Sequence, residues 1–215
     1  LLIAPKLQNG LKLTLIGEIT SVPYIKMTLN LLQEIGVETA FIGNIISVKP
    51  NTQNAIPKTQ TVESDWSSAA FFYPVLLGMS KDATIELLGL KMSNSETAKD
   101  LALEGSKIKS SQGDSAMCVF GNLLGIETIE TEKGILINRH PIEINKTLAF
   151  LADDEILDHD QTLRIDLKNN PDLVPALVVG WCILGKSAII SGIYNLRFKE
   201  CDRILALQEN IKGQI

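Results

Sequence analysis

Hydrophobic residues recur along the chain at two spacings, one typical of strands and one typical of helices. Leu11–Ile16 begins with alternating apolar and polar positions, which favours a half-buried strand. Pro23–Ile35 repeats apolar residues every three or four positions and is followed by Gly36, which predicts a helix that ends at a glycine. Strand and helix patterns continue to alternate after this point, so the sequence predicts a mixed α/β protein.

The later elements are separated by glycine, proline and polar turns. Strands are predicted at Val37–Ile46, Thr59–Val62, Thr84–Leu90, Glu127–Thr131, Ile135–Asn138 and Leu163–Leu167. Helices are predicted from Ser64 or Asp65 to Gly78, through Met117 to Leu124, from Pro171 with Asn170 as its cap, and from near Phe198. The acidic stretch Ala152–Asp160 is interpreted as an exposed loop.

Composition is that of an ordinary globular protein. Of the 215 residues, 45% are hydrophobic and 21% are charged, and the net charge of −5 argues against a nucleic-acid-binding protein. The most apolar stretch, 173–184, contains a proline and a glycine and is shorter than the roughly 20 residues that span a bilayer. We therefore expect no membrane segment.

Cysteine and histidine usage gives no sign of a metal site. The chain has three cysteines, Cys118, Cys182 and Cys201, which are far apart, and only two histidines. We expect no metal and no cofactor, and an odd cysteine count favours reduced thiols and a cytoplasmic location. Cys201 differs from the others because the neighbouring charges of Lys199 and Arg203 would favour a reactive thiol.

The two ends of the sequence suggest a piece of a longer protein. The chain begins Leu1-Leu2-Ile3-Ala4, without an initiator methionine or the charged region that opens a signal peptide. It stops at Ile215, just after a predicted helix, where an α/β unit would continue into a strand. We therefore expect this chain to be a fragment.

The densest cluster of charge lies at Tyr194–Arg203, where six of ten residues are polar or charged. In a helix that begins in this segment, Lys199 and Arg203 would share one face, with Glu200 beside them. Spacing alone leaves two interpretations open. One is local ion pairing, Lys199 with Asp202 and Glu200 with Arg203. The other is an anion-binding site with an acid or base built in.

Residues Asn195 to Arg203 resemble the Asn-x-Arg-x-Lys-Glu-(Ser/Thr)-Asp-Arg motif of the 5-enolpyruvylshikimate-3-phosphate synthase family. Further segments agree with this family in the same order along the chain: Ser21–Ile25 with Thr28–Leu31, Val62–Ala69, the shorter Ser111–Asp114, and Pro171-Asp172. Cys201 departs from the motif, since the family has serine or threonine there. The resemblance covers most of the chain.

The resemblance implies an α/β (α+β) fold of two lobes, built from repeated βαβαββ units with helices inside and sheets outside. Residues 1–62 would be the last part of the first lobe, and residues 63–215 most of the second. Met92–Ser110 is longer than the family's connection at this place. We interpret this stretch, 92–110, as a surface insertion with a short helix at Glu96–Glu104.

The family transfers the enolpyruvyl group of phosphoenolpyruvate to the 5-hydroxyl of shikimate 3-phosphate and releases phosphate, on the way to chorismate and the aromatic amino acids. This chemistry needs carboxyl groups that exchange protons and cations that hold anionic substrates. By resemblance, Asp172 and Glu200 transfer protons and Arg203 holds phosphoenolpyruvate. The implied contacts to shikimate 3-phosphate are Ser21, Tyr24, Asp172, Asn195 and Lys199.

The resemblance also places Asp65 in the cleft, whereas Arg197 has a family counterpart but no implied substrate role. Most of these residues have a structural interpretation as well. Ser21 and Asp65 suit helix N-caps, Tyr24 a half-buried aromatic, Asp172 the acidic position of a first helical turn, and Glu200 an i,i+3 partner of Arg203.

Two other functions compete with this one. The enolpyruvyl transferase that acts on UDP-N-acetylglucosamine shares the fold, and a non-catalytic α/β scaffold would use the charged segment only as a surface helix. Binding of shikimate 3-phosphate or of the sugar nucleotide separates these possibilities. The resemblance also implies a monomer with small-molecule substrates, no nucleic acid and no membrane partner.

We expect the 215-residue chain by itself to be inactive. The family's N-terminal Lys-Ser and Arg, its glycine-rich loop, and the His-Arg and Lys after this region are absent, and each lost charge-assisted contact costs about 1.5 to 3 kcal/mol. Release of phosphate from both substrates, measured with purified chain, would contradict this expectation.

Overall fold

The computed structural model describes residues 1–51, 62–92, 110–139 and 162–211. The chain divides into two compact units, Leu1–Val62 and Glu63–Ile215, and each has its own hydrophobic core. Both units combine helices with small sheets, so the predicted α/β class is confirmed.

Within residues 1–51, the first unit packs one α-helix on one antiparallel sheet. After a 3-10 turn at Ala4–Lys6, its elements are β1 (Leu11–Thr14), α1 (Val22–Glu34), β2 (Thr39–Ile42) and β3 (Ile45–Val48), and the strand order is β1-β3-β2. The core joins Leu29 and Leu32 of α1 to Ile46 and Val48 of β3. These positions show the helical and strand periodicities from which the two elements were predicted.

The segment predicted as one strand, Val37–Ile46, is instead a hairpin. Ile42 pairs with Ile45 across a two-residue turn, and Gly43 at the first turn position has a φ of +61°. Glycine adopts this conformation without the steric cost that a side chain would bring. The Gly-Asn pair is therefore the sequence signal that marks the turn.

The second unit has five helices and five strands among its described residues. They are α2 (Trp66–Ala69), α3 (Phe72–Leu77), β4 (Thr84–Leu88), α4 (Met117–Leu123), β5 (Ile126–Glu130), β6 (Gly134–Arg139), β7 (Leu163–Asp166), α5 (Val174–Ile183), β8 (Ala188–Ser191) and α6 (Arg203–Asn210). Three 3-10 turns, at Gly113–Ala116, Pro171–Leu173 and Tyr194–Phe198, complete the list. One sheet is antiparallel with the order β4-β6-β5, and β7 pairs with β8 in parallel.

Helices α3 and α5 contribute to the core of the second unit. Val174–Ile183 contains no charged residue, and a helix that is apolar on every face belongs in a core. It packs against α3, and their buried side chains join one cluster with Ile135 and Ile137, the alternate residues of β6. No helix in the described part of the chain is long and apolar enough to cross a membrane.

The helix predicted from Asp65 to Gly78 is broken into α2 and α3 near Ala70. Pro74 lies four residues after Ala70, so a continuous helix would need a backbone N–H that proline lacks and would bring its ring against the Ala70 carbonyl. The break therefore follows from a residue that was visible in the sequence. A second helix boundary was also wrong, because α6 begins at Arg203 rather than near Phe198.

The predicted insertion at 92–110 begins and ends at one place in the fold, since the Met92 carbonyl accepts a hydrogen bond from the Ser110 N–H at 2.7 Å. Residues 93–109 lie outside the described residues, and so does the helix predicted within them. The predicted loop at Ala152–Asp160 and nearly all of the predicted strand Thr59–Val62 also lie outside.

Packing around Gly121 of α4 gives a test of the second core. A methyl group at this position would come within 2.5 Å of Tyr73 Cε1, and Tyr73 is fully buried with its hydroxyl bonded to Thr128. Overpacking costs about 1 to 3 kcal/mol. The better helix propensity of alanine compared with glycine offsets about 1 kcal/mol of this cost. We expect Gly121→Ala to lower the free energy of unfolding by about 1 kcal/mol, the middle of the resulting range of about 0 to 2 kcal/mol.

Gly78→Ala is the matched control, because its new carbon would meet nothing closer than 3.4 Å. Urea unfolding can be followed by tryptophan fluorescence, since both tryptophans, Trp66 and Trp181, are buried in the second unit. Equal unfolding midpoints for the two variants would show that the Tyr73 ring yields to the added methyl group.

Candidate functional site

A carboxylate and two cations from distant parts of the sequence meet in the second unit. Asp172 lies in the 3-10 turn just before α5, and its Oδ1 is 3.0 Å from Lys199 Nζ and 2.8 Å from Arg203 Nη1. The Asp172 side chain is only 17% exposed. Charge-assisted hydrogen bonds in such partly desolvated places contribute about 1.5 to 3 kcal/mol each.

Glu200 joins this cluster through Arg203. The guanidinium donates from Nε and Nη2 to Glu200 Oε1 at 3.0 and 2.6 Å, while its Nη1 holds Asp172. One arginine therefore bridges the two carboxylates that the resemblance assigns to proton transfer. The predicted local pair of Glu200 with Arg203 is confirmed, whereas Lys199 pairs with Asp172 and not with Asp202.

The start of α6 explains how these side chains diverge from one short segment. Asp202 accepts the Leu205 N–H at 3.0 Å and so caps the helix, which begins five residues later than predicted. Lys199 has extended backbone angles, φ −80° and ψ −162°. Arg203 thus projects from a helical turn, while Lys199 and Glu200 lie in a connection without regular secondary structure.

Asp65 lies at the start of α2. Its carboxylate accepts the N–H groups of Ser67 and Ser68 at 3.3 and 2.9 Å, together with the Ser68 hydroxyl, so the predicted N-cap is confirmed. The same residue also lines a cavity with Asp172 and Arg203. Asp65 is therefore both the N-cap of α2 and a neighbour of the charged cluster.

The wall that carries Asp65 is supported by the family-like segment Ser111–Asp114. Asp114 is 1% exposed and accepts the Ser67 hydroxyl at 2.6 Å. Gln112 accepts the Trp66 N–H at 2.9 Å and donates to the Ser64 carbonyl at 2.7 Å. Sequence reasoning gave no role to Ser67, Gln112 or Asp114, although two of the family-like segments contain all three.

The cavity between these two walls has a volume of about 650 Å³, within the range of about 300 to 1,000 Å³ typical of small-molecule sites. Its lining residues all belong to the second unit: Asp65, Ser67, Ser68, Phe71, Asp172, Pro175, Glu200, Arg203, Ala206, Leu207 and Asn210. Across residues 1–51, 62–92, 110–139 and 162–211, no three His, Cys, Asp or Glu side chains form a metal-binding group.

Hydrogen bonds set the electrostatics of the site. The pKa of Glu200 is lowered first by its own backbone N–H and then by Arg203, which favours the carboxylate form. Partial burial acts to lower the pKa of Arg203, but Glu200 and Asp172 raise it overall. The pKa of Asp65 is lowered chiefly by the hydroxyl of Ser68.

The remaining predicted residues are divided between the two units. Asn195 is half-buried in the 3-10 turn Tyr194–Phe198, four residues before Lys199. Ser21 and Tyr24 belong to the first unit, where Tyr24 is half-buried in α1, as predicted.

Two predicted N-caps are wrong. Ser21 occupies the N-cap position of α1, but its side chain makes no capping hydrogen bond and its backbone has a φ of +57°. Asn170 likewise does not cap the turn that follows it, and its amide donates to the Gly113 carbonyl at 2.8 Å. In both cases the residue type suits an N-cap, but the side chain makes no capping hydrogen bond.

The sequence matches the family model described as EPSP synthase (3-phosphoshikimate 1-carboxyvinyltransferase) over residues 1–213. A 3-phosphoshikimate 1-carboxyvinyltransferase from Bacteroides fragilis is 34% identical over 213 residues, which is 99% of this chain and 43% of that relative. One from Dehalococcoides mccartyi is 27% identical over 216 residues, 99% of this chain and 42% of the relative. One from Methanopyrus kandleri is 26% identical over 199 residues, 93% of this chain and 38% of the relative. The chain thus spans less than half the length of these curated relatives.

Replacing Asp65 tests the electrostatics of its wall. Asp65→Ala removes the N-cap of α2, and we expect it to lower the free energy of unfolding by about 0.5 to 2 kcal/mol at neutral pH. Because the folded-state pKa of Asp65 lies below its usual value of 3.8, this contribution is present above about pH 4 and is lost as the pH falls through the folded-state value.

Asp65→Asn provides the comparison. Asparagine caps helices about as well as aspartate but does not titrate, so we expect near-native stability at pH 7 and a weaker loss in acid. Urea unfolding at pH 7 and pH 3.5, followed by tryptophan fluorescence, measures both effects. A wild-type advantage over Asp65→Ala that is the same at both pH values would disprove the role of the charge.

Proposed function

The chain belongs to the EPSP synthase family, and we propose that the full-length protein that contains it transfers the enolpyruvyl group of phosphoenolpyruvate to the 5-hydroxyl of shikimate 3-phosphate. The other product is inorganic phosphate. This would place the protein in the shikimate pathway, which leads to chorismate and the aromatic amino acids.

The observation that carries this proposal is the convergence of Asp172, Glu200 and Arg203 at one cavity, with Lys199 as a second cation on Asp172. Asp172 and Glu200 are both bound to Arg203, and Lys199 is bound to Asp172. Transfer between two anionic substrates requires both kinds of group, because cations must hold phosphate and carboxylate oxygens while carboxyl groups exchange protons. A surface helix laced only with local pairs would not place Asp172 in the cluster.

In the proposed reaction, the 5-hydroxyl oxygen forms a bond to C2 of phosphoenolpyruvate and loses its proton, while the methylene carbon gains one. Elimination then removes a proton from the new methyl group and breaks the C2–O bond to phosphate. We assign to Glu200 the proton transfers to and from the methylene carbon. We assign to Asp172 the removal of the proton from the 5-hydroxyl. A carboxyl group that donates in the first step is a carboxylate ready to accept in the second.

Arg203 connects substrate binding to the protonation of Glu200. In the structure the guanidinium donates to both Asp172 and Glu200. An anionic substrate that takes over the Nε and Nη2 donors would remove one of the interactions that lower the pKa of Glu200. The pKa would then rise toward its ordinary value, which favours protonation of Glu200 as the substrate binds.

We propose that Asn195 and Lys199 contact shikimate 3-phosphate, together with Ser21 and Tyr24 of the first unit. For Ser21 the supporting observation is its positive φ of +57°. Such a conformation costs a residue other than glycine on the order of 1 kcal/mol or more and is concentrated at functional sites.

We further propose that the two compact units belong to the two lobes of the enzyme, with the boundary between residues 62 and 63. The protein would act as a monomer in the cytoplasm, with small-molecule substrates and no nucleic-acid partner. The alternative substrate UDP-N-acetylglucosamine is not favoured, because the relatives reported above are named for the shikimate reaction.

Phosphate release by the full-length protein, with both substrates supplied, tests the proposal. We expect Asp172→Asn and Glu200→Gln each to lower kcat by about 100-fold or more, since general acid–base groups contribute about 10² to 10⁴ in rate. Asp82→Asn and Glu209→Gln are matched controls, because these exposed carboxylates lie in the same unit and do not line the cavity.

Each unfavourable result points to a different error. A full-length protein that is inactive with these substrates but active with the sugar nucleotide would overturn the proposed substrate. Wild-type activity in both Asp172→Asn and Glu200→Gln would keep the family and overturn the assigned proton-transfer residues.

A further inference from the structure

We propose that Arg197 and Asp202 are positioning residues that hold the connection between Lys199 and Arg203 in the shape that the site requires. The kinetic part of this inference rests on the proposed function. Its structural part concerns the connection alone and is tested separately.

The Asp202 carboxylate is shared between two structural elements. Its Oδ1 accepts the Leu205 N–H of α6 at 3.0 Å, and its Oδ2 is 3.3 Å from Arg197 Nη1 in the preceding 3-10 turn. One side chain thus ties the first turn of α6 to the turn that ends at Phe198. The pair closes a loop around residues 198–201.

Apart from the contacts of Lys199 to Asp172 and of Glu200 to Arg203, this loop has no regular secondary structure to hold it. Lys199, Glu200 and Cys201 are exposed and belong to no helix or strand. On one side the loop is anchored by Leu196, which is fully buried in the core, and on the other by α6. The contact between Arg197 and Asp202 crosses directly between these anchors.

Arg197 acts at a distance from any ligand in this arrangement. It is not among the described residues that line the cavity, and its side chain is 49% exposed. Lys199 and Arg203 instead reach Asp172. Because Arg203 directly follows Asp202, movement of the cap shifts the guanidinium that bridges the two carboxylates.

The chemistry of Asp202 provides a selective variant. Asparagine is as good an N-cap as aspartate, but it has one acceptor oxygen and no charge. Asp202→Asn can therefore keep the bond to Leu205 while it loses the ion pair with Arg197. Arg197→Gln removes the pair from the other side, and Arg197→Lys keeps the charge as a conservative variant.

Cys201 lies inside the loop and gives a reporter that does not depend on activity. In a Cys182→Ala background, a nitroxide label would attach to the exposed Cys201, since Cys118 is buried. We expect Arg197→Gln and Asp202→Asn each to raise the rotational rate of the label at least twofold. Arg197→Lys should stay near wild type, and so should Lys186→Gln, which removes an exposed cation elsewhere in the unit.

In the unlabelled full-length protein, we expect Arg197→Gln and Asp202→Asn to raise KM for phosphoenolpyruvate about 10-fold. The tryptophan-detected unfolding midpoint should change little, because an exposed ion pair contributes little to global stability. The double variant should be no worse than the poorer single variant, since the two residues act as one unit. Arg197→Lys should recover most of the lost affinity.

Label mobility and KM test different parts of the inference. Label mobility that is unchanged in both variants would overturn the positioning role, as would additive effects on KM or an equal effect of Lys186→Gln. If the wild-type full-length protein does not use the two substrates, the proposed function fails, and the label still decides whether Arg197 and Asp202 order the loop.

Discussion

The contact between Asp172 and Arg203 is the interaction on which the charged cluster depends. It joins residues 31 positions apart, one at the start of a buried helix and the other at the start of a partly exposed one. With Lys199 on the same carboxylate, two cations balance an aspartate that is 17% exposed. Removal of Asp172 would leave both cations without this partner.

The rigidity of this arrangement comes from the apolar core beneath it. Helix α5 is apolar on every face, so burial fixes its position and places Asp172 at the edge of the cavity. On the opposite wall, the buried Asp114 holds the Ser67 hydroxyl, while Gln112 bonds the backbone on either side of Asp65. Preorganised polar groups on a packed scaffold are what a site needs to bind charge selectively.

Arg203 has one role in the structure and another in the proposed reaction. In the structure it neutralises two carboxylates that would otherwise repel each other and any anion that approaches. In the proposed reaction an anionic substrate would take over some of its donors, and Glu200 would lose part of the interaction that keeps it ionised. Substrate binding and proton transfer would then be coupled by the rearrangement of a single side chain.

The sequence by itself determined the α/β class, most element positions and the residue types of the site, because periodicity, turn residues and motifs are local properties. Asp65 as an N-cap and the pair of Glu200 with Arg203 were predictable for the same reason. Only the tertiary structure decided that Lys199 binds Asp172 rather than the nearer Asp202, and that Asp114 lies behind Ser67. Local spacing cannot rank a partner 27 residues away against one that is three residues away, since the choice depends on how buried helices and turns bring the two segments together.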